Sequence, residues 1–246
     1  MSLANQLIAT LLPPERGLLL ADSELVELEL HAVVCVAGEI SSHVWFPVDG
    51  FVSILLPVLG GVDMAVAQVG PEGMFHTSAA FDVERSAFHA RVQAAGRAFR
   101  MTRRTLQQHL QWSPGLRELL NRYADARLSQ LAQQTVCIHH HSVEQRLARA
   151  LLMTRDQLSS SELFLTHEVL ALMLGVRRES VTQAASAFQR RGLISYSRGY
   201  VMLLDEATLQ SIACGCYETN LNTYDRAFPD AKFIAVRRPE AAIFSL

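Results

Sequence analysis

The sequence contains no apolar run approaching the ~20 residues of a bilayer span. Its opening stretch, MSLANQLIATLL, lacks the positively charged flank of a secretory leader. Both absences lead to the expectation of a cytoplasmic protein. Cysteine is scarce: Cys35, Cys137, Cys214 and Cys216 are scattered along the chain, without the close spacing of a secreted disulfide framework. No second Cys or His pair at ligand spacing accompanies Cys214-Gly215-Cys216. That pair therefore reads as structural, with a redox or metal role as the lesser alternative, and no residue is assigned as a metal ligand. His139, His140 and His141 do not alter this reading, because consecutive helical residues point about 100° apart and cannot converge on one ion. A surface or hinge role is expected for them. Internal repeats and low-complexity segments are absent, and so is a large excess of one charge. The formal net charge is −2, which excludes a chain that coats nucleic acid along its whole surface.

What charge there is lies unevenly. Residues 1–60 carry seven acids and one Arg, whereas residues 143–200 carry eight Arg and five acids. A locally cationic C-terminal part fits specific binding by a confined surface. With 246 residues and 50% apolar composition, one or two domains with substantial cores are expected.

The N-terminal stretch NQLIATLLPPERGLLLADSELVELEL reads as short helices broken at Pro13-Pro14. From Ala32 to Phe99, short apolar runs such as HVWFPV, FVSILLPVL and RVQAAGRAFRM alternate with Gly, Pro, Ser and Asp, the pattern of a β-sandwich or barrel. Ser113-Pro114 supplies an N-cap and a first-turn proline for a long helix. Leu116, Leu120, Ala124, Leu128 and Leu131 form a stripe along it that packs either on the chain's own barrel or on a second copy, the second being favoured. Ser142-Val143-Glu144-Gln145 has capping-box form and starts the next helix. These signals divide the chain into 1–112, 113–141, 142–222 and a tail, 223–246, with no clear reading.

The densest signal is THEVLALMLGVRRESVTQAASAFQRRGLI, residues 166–194. Thr166 caps a first helix, Ala171 is small where two helices cross, Gly175 permits the turn, and Leu170, Leu174, Val176, Val181 and Ala184 face inward. Arg177, Arg178, Glu179, Thr182 and Gln183 are left outward, with the donors and acceptors that reading base edges requires. An ordinary helical hairpin is the bland alternative. Against it, Gly192 ends the second helix and LISYS and GYVMLL follow as two strands around Ser197-Arg198-Gly199, which makes a wing whose Arg198 can reach phosphate.

In these features the chain resembles the cyclic-AMP receptor protein and fumarate–nitrate regulator (Crp/Fnr) family over roughly residues 5 to 213. VEQRLARALL, the helix-turn-helix and the wing carry the likeness in the C-terminal part; CVAGEISSHVWFPVDGFVSILL, VGPEGMF and VQAAGRAFRM carry it in the N-terminal part. The resemblance implies an α+β chain: a jelly-roll effector domain, a long dimerisation helix and a C-terminal winged helix. It also implies a homodimer on a near-palindromic operator, with RNA polymerase as a further partner. It places Arg178, Glu179, Ser180 and Gln183 on bases, with Arg178 donating to guanine and Glu179 accepting from cytosine. Thr166 and His167 fall at positions that touch phosphate, and Arg177 stands where a capping Ser is common. Among possible cofactors it raises a cyclic nucleotide. Arg85-Ser86-Ala87 matches the phosphate-holding stretch of nucleotide-binding members, but Gly73 is followed by Met74 where those members carry the ribose-binding Glu. Arg85 reads equally as a solvated charge near Asp82 and Glu84, and cyclic AMP is not expected to be a tight effector. Iron–sulfur members carry several N-terminal cysteines, and here Cys35 is the first.

Two other classes compete. A cupin-like metalloenzyme fused to a helical interaction domain needs converging ligands, and residues 32–100 offer only His43, His76 and His89, none as a His-x-His pair. A winged helix that binds protein is disfavoured by the arginines on its outward face.

Overall fold

The computed structural model describes residues 4–61 and 63–229. Two short helices open the chain, α1 (Gln6–Ala9) and α2 (Pro13–Ala21). Pro13-Pro14 does not interrupt a helix; it starts one, where missing N–H groups cost no hydrogen bond. Seven strands follow: β1 (Glu24–Leu28), β2 (Val33–Cys35), β3 (His43–Pro47), β4 (Phe51–Leu56), β5 (Met64–Val69), β6 (His89–Ala94) and β7 (Gly96–Thr102). They form two antiparallel sheets, ordered β1-β7-β3 and β2-β6-β4-β5, the jelly-roll-like N-terminal unit of an α+β chain. The segment SELVELEL, expected to be helical, is corrected to strand. Its Leu25–Val26–Glu27 pair with Phe99, Ala98 and Arg97 of β7, Leu28 is buried, and Glu24 meets Arg100 at 2.6 Å.

The corner between β3 and β4 depends on glycine. At Gly50, φ is +71° and a Cβ would stand 2.4 Å from the carbonyl oxygen of Ala94. Trp45 and Phe75 stack with centroids 5.6 Å apart and, with Val52, Val69 and Val92, fill the sandwich interior.

The helices α3 (Arg103–Trp112) and α4 (Pro114–His140) lead away from the sheets. The Ser113 hydroxyl accepts from the Leu116 amide at 3.0 Å, so the Ser-Pro start acts as its sequence suggests. The dimer stripe needs correction along this helix. Leu116 and Leu120 are 2% and 1% exposed and pack with Leu7, Phe46 and Leu106 of their own chain, whereas Leu128 is 67% exposed and Ala124 and Leu131 lie between. The reason is helical phase: each step of four overshoots a full turn by about 40°, so three such steps carry the stripe about a third of the way round the helix.

Next come α5 (Val143–Leu158), β8 (Glu162–Phe164), α6 (His167–Leu174), α7 (Arg178–Arg190), β9 (Ile194–Ser197), β10 (Tyr200–Leu203), α8 (Glu206–Ile212) and α9 (Cys216–Ala227). A large apolar cluster joins α5, α6, α7 and the β8-β10-β9 sheet, and Phe51 of β4 enters it. The α9 helix packs back along α4 and buries Tyr224 against the N-terminal core. The expected boundary at residue 222 thus falls inside a helix, because Tyr217, Asn220 and Tyr224 form its buried face. Residues 230–246 of the expected tail lie outside the described residues.

The chain enters the C-terminal unit at His141-Ser142 and leaves it after α8. At these two crossings Cys137, His141, Cys214 and Cys216 converge, their ligating atoms all within 4.8 Å of one another. Cys137 and His141, at i and i+4, thus stand beside Cys214 and Cys216 as a second pair that the spacing in sequence did not show.

Candidate nucleic-acid interface

A capped helix, a fixed turn and a second helix build the α6–α7 pair. The Thr166 hydroxyl accepts from the Val169 amide at 3.2 Å at the start of α6, and Gly175, at φ 62°, closes its end. The turn is held from below by a residue that the sequence reading passed over: buried Arg146 on α5 donates through Nη1 to the Leu174 carbonyl at 2.9 Å. Arg177 occupies the N-cap of α7 without a side-chain cap, as its type suggests.

Along α7, Val181, Ala184, Ala185 and Phe188 are buried, and Arg178, Glu179, Thr182 and Gln183 are exposed. Ser180 is half-buried, its amide on the Arg177 carbonyl at 3.0 Å. The outward row expected from the sequence is thus brought to one face of one helix. His167 sits differently from Thr166. Its ring stacks on Tyr196 at 4.3 Å, its Nδ1 meets the Thr182 hydroxyl at 3.0 Å, and its Nε2 is buried without a partner among the described residues. Burial, and then the charge of Arg178, push its pKa below 6.5. This side chain links wing, α6 and α7 instead of extending outward.

The wing is the β9–β10 hairpin. Its turn residues Arg198 and Gly199 have φ of 50° and 87°, the left-handed pair of a two-residue hairpin turn whose twist suits the flanking strands. Arg198 is exposed at the tip. The Tyr196 hydroxyl donates to the Leu165 carbonyl at 3.0 Å and fixes the wing to the start of α6.

The residues proposed for an effector are each engaged within the sandwich or against α4. Arg85 is exposed and donates to the Gly38 carbonyl at 2.8 Å, and the Ser86 hydroxyl is buried and donates to the Phe88 carbonyl at 2.8 Å. Gly73 is covered by Tyr123, whose hydroxyl oxygen would stand 2.2 Å from a Cβ there. That hydroxyl accepts from the Met74 amide and donates to its carbonyl, at 3.0 and 2.9 Å. Burial pushes the Tyr123 pKa up to about 12, so it stays a neutral strut. Glu72 points elsewhere: buried, it accepts from Gln157 of α5 at 3.0 Å and so joins the sandwich to the C-terminal unit.

At that junction a cavity of ≈ 90 Å³ is lined by residues of β5, α4, α5 and α9. Gln68 Nε2, Glu72 Oε2, Gln157 Oε1 and Asn220 Oδ1 belong to its lining and are buried without hydrogen-bond partners among the described residues. His43, His76 and His89 of the sandwich form no ligand group among the described residues; His76 Nδ1 donates to the His43 carbonyl, and His89 Nδ1 accepts from the Ala37 amide.

Residues 145–212 match the Crp-like helix-turn-helix domain. The chain is 26% identical over 179 residues to the CRP-like cAMP-activated global transcriptional regulator of Mycobacterium tuberculosis, covering 70% of this chain and 80% of that protein. Its fold is similar to FixK2 from Bradyrhizobium japonicum, with TM-score 0.69 and 15% identity over 78% of this chain and 98% of that one. It is also similar to the c-di-GMP responsive global regulator CLP of Xanthomonas campestris, with TM-score 0.65 and 17% identity over 77% and 98%.

Proposed function

We propose that this chain, whose residues 145–212 match the Crp-like helix-turn-helix domain, is a regulator of the Crp/Fnr type that acts as a dimer and lays α7 in the major groove of a near-palindromic operator. It is a DNA-binding regulator and not an enzyme. The observation that carries the proposed interface is the row Arg178, Glu179, Thr182 and Gln183, exposed on α7 above a fully buried apolar face. Arg178 donates to guanine, Glu179 accepts from cytosine, and Gln183 reads a third base. Arg177, Arg198 and the N-terminus of α6 at Thr166 position the helix against phosphates, while Ser180 lies half-buried within the base-facing stretch. His167 orients the wing and α7.

The dimer seam in this reading runs along the solvent face of α4 through Leu128, Ala132 and Thr135, at steps of four and three. RNA polymerase is a further partner by family analogy. Signals reach α7 through the junction of Glu72 and Gln157. The unpartnered polar atoms around the cavity favour a small polar effector there. Arg85 and Ser86 are committed to backbone carbonyls, which argues against cyclic AMP as a tight ligand. Calorimetry separates the two sites: low-micromolar cyclic AMP binding, abolished by Arg85→Ala and coupled to tighter operator binding, is the result that restores the nucleotide site. Among the described residues no helix is long and apolar enough to cross a membrane.

A further inference from the structure

Cys137 lies in the last turn of α4 and His141 caps its end; Cys214 and Cys216 flank the start of α9. The three cysteines are at most 3% exposed, and His141 is half-buried. Cys137 Sγ and Cys214 Sγ are 3.6 Å apart, and Cys216 Sγ and His141 Nδ1 are 3.5 Å apart. A zinc ion with bonds of about 2.3 Å to sulfur and about 2.0 Å to nitrogen sets its tetrahedral ligand atoms roughly 3.5–3.8 Å from one another. Two of the six separations therefore already match edges of that tetrahedron, and the other four lie within 4.8 Å. An iron–sulfur cluster spreads its thiolates over several irons, farther apart than the 4.8 Å that encloses this group.

The surroundings suit a charged metal centre. Gln133 Nε2 donates to Cys216 Sγ at 3.0 Å, as an outer-shell donor to a thiolate does. Three thiolates and a neutral imidazole around a divalent ion leave one net negative charge, and the positive field of buried Arg149 acts on Cys137 and Cys214. Arg149 is in turn held by Gln134.

We infer that Cys137, His141, Cys214 and Cys216 form a four-coordinate site for a single zinc-class divalent ion. On binding, each thiol releases its proton to solvent and no ligand is oxidised or reduced. The position gives the ion a task. Residue 141 immediately precedes the C-terminal unit and residue 214 follows its last helix, so one ion ties both connections of the winged helix to the end of α4. Its loss frees the orientation of α7 relative to the dimer axis, a consequence that rests on the DNA-binding reading.

The test uses the full chain, purified under reductant. Elemental analysis is expected to give close to one zinc per chain. Cobalt(II) added to the chelator-stripped protein should give the ligand-field bands of tetrahedral cobalt with a thiolate charge-transfer band, bleached by zinc. His141→Ala and Cys216→Ser should weaken both, and the wild-type cobalt spectrum remains the readout if either variant fails to fold. Absence of bound metal together with no cobalt–thiolate band overturns the site, as does a Cys137–Cys214 disulfide in the reduced preparation. Removing zinc should weaken binding to a two-half-site operator by at least about tenfold and leave a single half-site unaffected. Cobalt binding with unchanged operator affinity overturns the coupling but not the site, while failure of both forms to bind any operator overturns the DNA-binding reading alone.

Discussion

Arg146 Nη1 donates to the carbonyl of Leu174 at 2.9 Å, so a buried guanidinium on α5 terminates α6 where the chain turns into the reader helix. Methionine at 146 keeps much of the packing volume but leaves that carbonyl without its partner. Arg146→Met should lower the unfolding free energy by about 1–3 kcal/mol, a shift in denaturant midpoint at unchanged slope. An unchanged midpoint shows that the bond is dispensable.

Base and phosphate contacts should respond differently to mutation. Arg178→Ala should cost about 1–3 kcal/mol of operator binding and relax the preference at one position in each half-site. Arg198→Ala should weaken binding to specific and random DNA alike and reduce its salt dependence by about one unit of slope. Quantitative binding at several salt concentrations decides this, and equal losses by both variants on both DNAs contradict the assignment.

The corrected dimer seam predicts that position matters more than hydrophobicity. Leu128→Asp should shift sedimentation at micromolar concentration from dimer to monomer without changing thermal stability of the monomer. Leu120→Asp, buried within the chain, should unfold it instead. A Leu128→Asp variant that remains dimeric rejects the seam.

Titration of His167 gives stability a direction with pH. Its folded pKa is depressed by burial and by Arg178, so the unfolded chain binds this proton more readily. Its stabilising contribution is present above the ordinary value of 6.5 and is lost as pH falls through 6.5 toward the folded value. Buried His76 and partly buried His43 act in the same sense, whereas Asp156, raised by burial, opposes them at lower pH. Comparing His167→Phe with the parent isolates one contribution: between pH 7 and 5 the variant should lose less stability. Equal slopes contradict the burial argument.

The reader helix was legible because its constraints are local: Thr166, Gly175, Val181 and the arginines fall within one short segment, and capping and helical phase suffice to place them. The packing of α4 was half legible. Its apolar residues were recognised, but a stripe stepping by fours turns about the helix, so Leu116 and Leu120 face the chain's own core while Leu128 faces out. Strand β1 was missed since SELVELEL suits either period until β7 supplies its partner. The metal-ligand group was hidden by distance in sequence. Cys137-x₃-His141 and Cys214-x-Cys216 are each weak signals, and the entire winged helix separates them; only the fold brings the two crossings together. Nothing in the residue pattern near Arg85 and Ser86 foretold that backbone carbonyls of the sandwich would occupy them.

The central claim is that α7 reads DNA from a two-fold dimer. Selection of the purified protein against a pool of random duplexes tests it most directly. The account predicts enrichment of inverted repeats whose half-sites lie about one helical turn, roughly 34 Å, apart, with the guanine preference lost in Arg178→Ala. Recovery of duplexes with no shared sequence, or of single half-sites bound as well as repeats, is the result that contradicts it.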